Sequence, residues 1–306
     1  MTIGSLLVEH AAREAEIEAL VAEYLDHLHD GAYMRRVFAN GDVAVSMLAT
    51  MLGSGDRTRV NRATLVLSDA VLYRYVPRLR ELVPRTNLLD VLAANLYASD
   101  YGIRRDSIYT LGKLTYPRAA GALTRAFPVY LQRYPLEPPG LLSELFWLST
   151  RARRRRWDYF LAMARSPQYP VRWCVFEAAD YGSVGTARRS RDARLYKRLL
   201  HRLARDPHPL VRQEARWRLL DARPHLDPRR WGGSTEVLGD RSFELVVIQF
   251  SNYLWVSGPA DYDLALLHRF AHYVVVEAAC TGAPAPVDSE AFARAFEEWA
   301  VAADHL

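Results

Sequence analysis

Asp206-Pro-His-Pro-Leu-Val-Arg-Gln-Glu-Ala-Arg-Trp-Arg-Leu-Leu220 decides the fold, because its kernel recurs along the chain. The kernel is a β-branched residue, Arg, two variable residues and then a small or β-branched one: Val211-Arg212-x-x-Ala215. Earlier copies are Val171-Arg172-x-x-Val175, after Ser166-Pro167, and Ile103-Arg104-x-x-Ser107, after Ser99-Asp100. A degraded copy stands at Val60-Asn61-x-x-Thr64, after Ser54-Gly55-Asp56. The gap between Ile103 and Val171 holds two units, the second starting near residue 137 without a kernel. Pro138-Pro139-Gly140 followed by Leu141 to Leu148 supplies its turn and helix. A period of roughly 34 to 45 residues with helical contents predicts a solenoid of helix pairs.

The physics of each unit is legible from its residues. Asp206-Pro207 or Ser166-Pro167 stops one helix and starts a turn, because proline restricts the residue before it and has no amide to donate. The β-branched residue faces the core, and small Ala215 or Ser107 lets helices approach closely. Two roles are open to Arg104, Arg172 and Arg212. Each can reach its turn or an acid of a neighbouring unit, making a ladder along the array, or it can contact a ligand.

The surrounding sequence fits helices. Leu6 to His29 carries apolar residues at mostly three- and four-residue spacing, with Glu14, Glu16, Glu18 and Glu23 on the wet side. Further helices are expected over Val43 to Leu52, Ala63 to Tyr75, Leu88 to Tyr97, Ile103 to Leu114, Ala119 to Tyr130, Trp157 to Ala164 and Val171 to Ala179. Trp231-Gly-Gly-Ser-Thr marks a boundary. Beyond it, Phe243 to Val256 allows helix or strand, with length favouring helix, and Asp261 to Cys280 reads as a long helix. A last helix capped by Asp288 or Ser289 carries Phe292, Ala295, Phe296 and Trp299 on one face.

Asp206 to Leu220 resembles a HEAT repeat, and Arg59 to Asp221 resembles an array of them. The resemblance implies a curved right-handed α-solenoid used mainly as a binding surface. The expected organisation is all-α: an N-terminal helical cap over residues 1–53, a repeat array with a basic middle over 54–230, and an acidic helical C-terminal cap over 231–306. End repeats need such caps to hide an exposed apolar layer.

Composition excludes several classes. Half of the residues are hydrophobic and a quarter charged, which suits a folded chain and not a disordered one. Cys174 and Cys280 cannot make a disulfide framework or a zinc site and read as buried small hydrophobes. Met1 to Glu16 has no cationic region followed by an apolar stretch, and no apolar run reaches the roughly 18 residues of a membrane span. A cytoplasmic location is therefore expected, with no membrane role.

Charge is the feature that points to function. Net charge is +5, but residues 1–150 are neutral, 151–230 carry +13 and 231–306 carry −8. Such a field attracts an anionic partner, or lets the acidic part dock on the basic middle within one chain or across a dimer. In Arg151-Ala-Arg-Arg-Arg-Arg-Trp157, four consecutive arginines cannot share one helix face, so a loop or frayed helix start is expected. Arg153, Arg154, Arg155 and Arg156 suit phosphates and carboxylates, and Trp157 offers a ring to stack on a base. Arg188, Arg189 and Arg191 form a second cluster. Leu195, Leu199 and Leu203 then turn inward, while Arg194, Arg198, Arg202 and Arg205 turn outward.

These features give three expectations of function. The first is a non-enzymatic scaffold or adaptor that binds an acidic protein through its arginines. The second is a nucleic-acid binder, read from the basic footprint. The third is an alkylbase DNA glycosylase, since one class of these resembles this chain in HEAT-like helix pairs and a basic concave face. Its carboxylate would be Asp158, beside Trp157, or Glu177, one helix turn from Trp173. No cofactor or metal is expected. His268-Arg-Phe-Ala-His272 has zinc-like spacing without a catalytic Glu, and in Asp26-His-Leu-His-Asp30 the histidines point to different sides of a helix. Gly182-Ser-Val-Gly185 lacks the lysine of a phosphate loop.

Overall fold

The computed structural model describes residues 3–135, 137–148, 150–181 and 191–220, together with Arg294 and Glu298. The described residues are all-helical, with no strand among them. In chain order the helices are α1 (Ile3–Glu23), α2 (Gly31–Val37), α3 (Asp42–Leu52), α4 (Arg57–Leu72) and the single turn α5 (Leu79–Leu82). Then come α6 (Leu88–Asn95), α7 (Tyr101–Leu114), α8 (Pro117–Arg133), α9 (Pro138–Leu148) and α10 (Thr150–Ala164). The last three are α11 (Tyr169–Tyr181), α12 (Arg191–Leu203) and α13 (Pro209–Leu220). The chain divides into two compact units, Met1–Phe160 and Leu161–Leu306.

In the first unit, α4, α7 and α9 lie side by side. Behind them α3, α6 and α8 make a second row, with α3 on α4, α6 on α7 and α8 on α9. The kernel residues explain the first row. Val60, Ile103 and Leu141 open α4, α7 and α9 and are all buried, as are Thr64 and Ser107 one turn later. α9 thus begins near residue 137, with buried Leu141-Leu142 where α7 has Ile103-Arg104. In the second unit, α11 packs on α13 and α12 on α13. Val171, Val175, Val211 and Ala215 are buried there in the same positions. Cys174 is also fully buried, as a small hydrophobe.

Side chains fix the helix starts. The Asp56 carboxylate accepts from the Arg59 N–H at 2.9 Å, so α4 begins ahead of the apolar stretch from Ala63. Asp100 caps α7 through the Ile103 N–H at 2.9 Å. Each such cap is worth about 1 kcal/mol. Pro117 and Pro138 occupy first helical turns, where a missing N–H costs nothing.

One expectation is corrected and one choice is decided. The helix predicted to His29 stops at Glu23 and continues as a 3-10 turn over Tyr24–His27. His29 then takes a left-handed backbone (φ 66°), and Leu25 and Leu28 stay exposed. The chain must leave the helix so that Asp30 can cap α2, where it accepts from Ala32 and Tyr33 N–H groups. His27 and His29 thus do not share a helix; His27 stacks on Tyr33 and His29 meets Asp69 at 3.2 Å. The choice concerns Arg151 to Arg156. Of its two alternatives, loop or helix start, the run takes the second: it follows Thr150 into the opening turns of α10.

Candidate anion-binding cleft

Arginines of the kernels hold the turns together in one repeated geometry. Arg104 donates from Nη1 to the carbonyls of Ala98 and Ser99, which precede its own helix. Its other edge forks onto Glu137, Nε to Oε2 at 3.1 Å and Nη2 to Oε1 at 2.7 Å. The guanidinium is fully buried and lies over the Tyr134 ring at 3.9 Å. Arg172 repeats this arrangement. Nη1 meets the Ser166 and Pro167 carbonyls, both at 2.9 Å, and Nε and Nη2 fork onto Asp206. Arg212 anchors Nη1 to the Asp206 and Pro207 carbonyls at 2.8 and 3.2 Å. At the degraded kernel, Asn61 is too short to fork and its amide donates to Asp106 at 2.9 Å. Of the two roles open to Arg104 and Arg172, the ladder is the one observed.

The ladder sets the floor of a cleft in the second unit. Its cavity of about 750 Å³ is lined by Arg165 after α10, Arg172 on α11, Arg198, His201 and Arg202 on α12, and Arg205-Asp206-Pro207 in the next turn. Amphipathicity puts them there. Tyr196, Leu199, Leu200 and Leu203 bury one face of α12, which turns Arg198, His201 and Arg202 outward. Asp206 is the one acid among these lining residues, and Arg172 and the His208 N–H already occupy its oxygens. Among the described residues, no acid pairs with Arg165, Arg198, Arg202 or Arg205, and all four are exposed. Four unpaired guanidiniums around one concavity repel one another and favour an anion.

Sequence-predicted residues distribute unevenly. Arg198, Arg202 and Arg205 come together in the cleft. Arg191 and Arg194 are exposed on α12 outside its lining. Arg155 and Asp158 are exposed on α10, Arg156 sits with its guanidinium 5.6 Å from the Phe146 ring, and Trp157 packs on Phe160 at 5.5 Å. Arg153 and Arg154 lie in the same helix. Asp158 belongs to the first unit and Glu177 to the second; Trp173, one turn before Glu177, is buried. Arg188, Arg189, the 182–185 turn, the 268–272 histidines and the C-terminal cap lie outside the described residues. No cluster of three metal-ligating side chains occurs among the described residues, and no described helix is long and apolar enough to cross a membrane.

Comparison with known proteins adds little to this geometry. No family model matches the chain, and no curated protein matches it. Among solved structures it is similar to two engineered proteins. One is 15% identical over 67% of this chain and 96% of that one, with a TM-score of 0.39. The other is 17% identical over 91% of this chain and 77% of that one, with a TM-score of 0.36.

Sequence reasoning missed four residues, two in the cleft and two buried acids of the first unit. Arg165 and His201 complete the cleft, but each looks like an ordinary surface residue in the sequence. Glu137 was detectable: it precedes Pro138 as Asp206 precedes Pro207, and stands nearly the same distance after Arg104 as Asp206 does after Arg172. A buried carboxylate at Glu144 was not. It lies against Gly112 with Lys113 at 3.3 Å, and burial pushes its pKa up while Lys113 pulls it down.

Proposed function

We propose that this chain is a non-enzymatic scaffold, a HEAT-like right-handed α-solenoid with a helical C-terminal cap, whose arginine-lined cleft holds an acidic polypeptide. The single observation that carries the binding role is the set of four exposed arginines around one cavity, none of them paired with an acid among the described residues. Guanidinium forks match carboxylates in shape and charge, as the Arg172–Asp206 pair does within this protein. The HEAT-like reading is supported by the two helix rows of the first unit and by the ladder of turn-holding arginines. A cytoplasmic setting fits a chain that uses Cys174 as a buried apolar residue.

The cleft favours polypeptide over nucleic acid. Proteins that hold single strands pair a basic groove with aromatic rings on which bases stack. Here the lining residues include arginines but no Trp, Tyr or Phe. A volume of about 750 Å³ also suits a few side chains of a partner.

Fluorescence anisotropy tests the reading directly. A labelled glutamate-rich peptide, a DNA duplex and a single strand are titrated with wild type and the triple variant Arg198→Ala/Arg202→Ala/Arg205→Ala. The peptide is expected to bind wild type with modest salt dependence and to lose most of its affinity in the variant. Duplex binding with a log–log salt slope that grows by about 0.9 per contacted phosphate would overturn the proposal in favour of nucleic acid.

A further inference from the structure

We infer that the group this cleft recognises is a phosphate monoester carried on the acidic polypeptide, a phosphoserine or phosphothreonine side chain. The inference rests on the proposed polypeptide-binding role and narrows its ligand. Charge density is the reason. Arg198 and Arg202 are one helix turn apart on α12, Arg205 follows in the next turn, and Arg165 comes from the turn after α10. Residues four apart on a helix are neighbours, so these guanidiniums converge on one volume.

A carboxylate brings one charge and two oxygens and satisfies one fork, which is how Asp206 is used by Arg172. Neutralising four arginines with carboxylates needs several acidic residues crowded into about 750 Å³, each losing side-chain freedom. A phosphate monoester concentrates a charge of about −1.5 to −2 and three strong acceptor oxygens on one side chain. It can receive forks from two or three arginines at once, the arrangement used by arginine clusters that recognise phosphorylated motifs. His201 adds a donor at the same wall.

The lining also separates this ligand from the internal acid. Asp206 is held by the Arg172 fork and the His208 N–H, so it neither neutralises the four arginines nor repels an incoming dianion at close range. Among the described residues, the cleft thus presents donors that no acid takes up.

The test uses the full chain and three labelled peptides of one glutamate-rich sequence, with serine, glutamate or phosphoserine at the centre. The phosphoserine peptide is expected to bind about tenfold tighter than the glutamate peptide. Arg198→Lys/Arg202→Lys, which keeps the charge but removes two forks, should weaken both peptides and cost the phosphoserine peptide more, erasing most of that preference. The side chains are exposed, and circular dichroism with thermal unfolding confirms that variants fold. Equal affinity for the phosphoserine and glutamate peptides overturns this inference and leaves the polypeptide-binding role intact. Binding of none of the peptides overturns both. Inorganic phosphate competing at the same concentration as the phosphopeptide overturns the polypeptide as its source and makes the cleft a site for free phosphate.

Discussion

Arg172 meets Asp206 edge-on, Nε to Oδ2 at 2.8 Å and Nη2 to Oδ1 at 2.9 Å, and so removes the acid of the cleft lining from play. One contact therefore serves stability and charge together, and the two can be separated. Asp206→Asn leaves the side-chain shape but breaks the charged fork, which should cost about 1.5–3 kcal/mol in urea unfolding. It also frees Arg172 to face the cleft, so anisotropy with the phosphoserine peptide should show several-fold tighter binding at temperatures where the variant is folded. A variant that is less stable yet binds no tighter would mean Arg172 does not reach the ligand.

The Arg104–Glu137 fork is the same device in a drier place. Arg104 is fully buried and the Glu137 side chain is 5% exposed, whereas Arg118–Asp90 lies open at 66% and 55%. Removing one partner of a buried pair strands the other charge, so Glu137→Ala should cost about 3–5 kcal/mol. Asp90→Ala should cost less than about 1 kcal/mol, because water screens that pair and replaces its bonds. Equilibrium unfolding of the two variants side by side checks the ranking; similar costs would show that the ladder is no more than a surface ion pair.

What could be read in advance follows from which forces are local. Val60, Ile103, Val171 and Val211 announced buried positions because a periodic apolar residue beside a turn signal has few other uses. Arg198, Arg202 and Arg205 were legible as an outward stripe because helix spacing alone puts them opposite Leu199 and Leu203. The end of α1 was not, since Leu25 and Leu28 continue the apolar pattern and only Asp30 capping α2, together with Tyr24 reaching Asp69 at 2.7 Å, breaks the helix. Arg165 joins the cleft through packing between elements distant in sequence, which no local pattern records, whereas His201 lies on the outward face of α12 beside Arg202. The arginine run allowed a loop or a helix start, and the structure has the helix start, because helix propensity tolerates consecutive arginines.

Gly112 reverses an ordinary rule. Glycine to alanine inside a helix usually stabilises by about 1 kcal/mol. On α7 at Gly112, an added Cβ would lie 2.7 Å from the Glu144 carboxyl carbon and 2.9 Å from its Cβ. Overpacking of this kind costs about 1–3 kcal/mol, so Gly112→Ala should lower the unfolding midpoint. The double variant Gly112→Ala/Glu144→Ala should recover a large part of the loss relative to Glu144→Ala alone. A stabilised Gly112→Ala would show that α7 and α9 are not pressed together there.

Glu144 itself gives a pH signature. Burial is the larger influence and raises its pKa above the ordinary 4.5, with Lys113 acting the other way. The folded chain then holds the Glu144 proton more firmly than the unfolded chain does. Above pH 4.5 the unfolded carboxyl has released its proton while the folded one still keeps it, so this group's contribution to stability falls as pH rises through the window between the two values. Glu144→Gln has no such proton to lose. The stability of the variant minus that of wild type, measured by urea unfolding, should grow from pH 4.5 towards neutrality and then level off. A difference that shrinks over the same range would mean that Lys113, 3.3 Å away, outweighs burial and holds Glu144 charged.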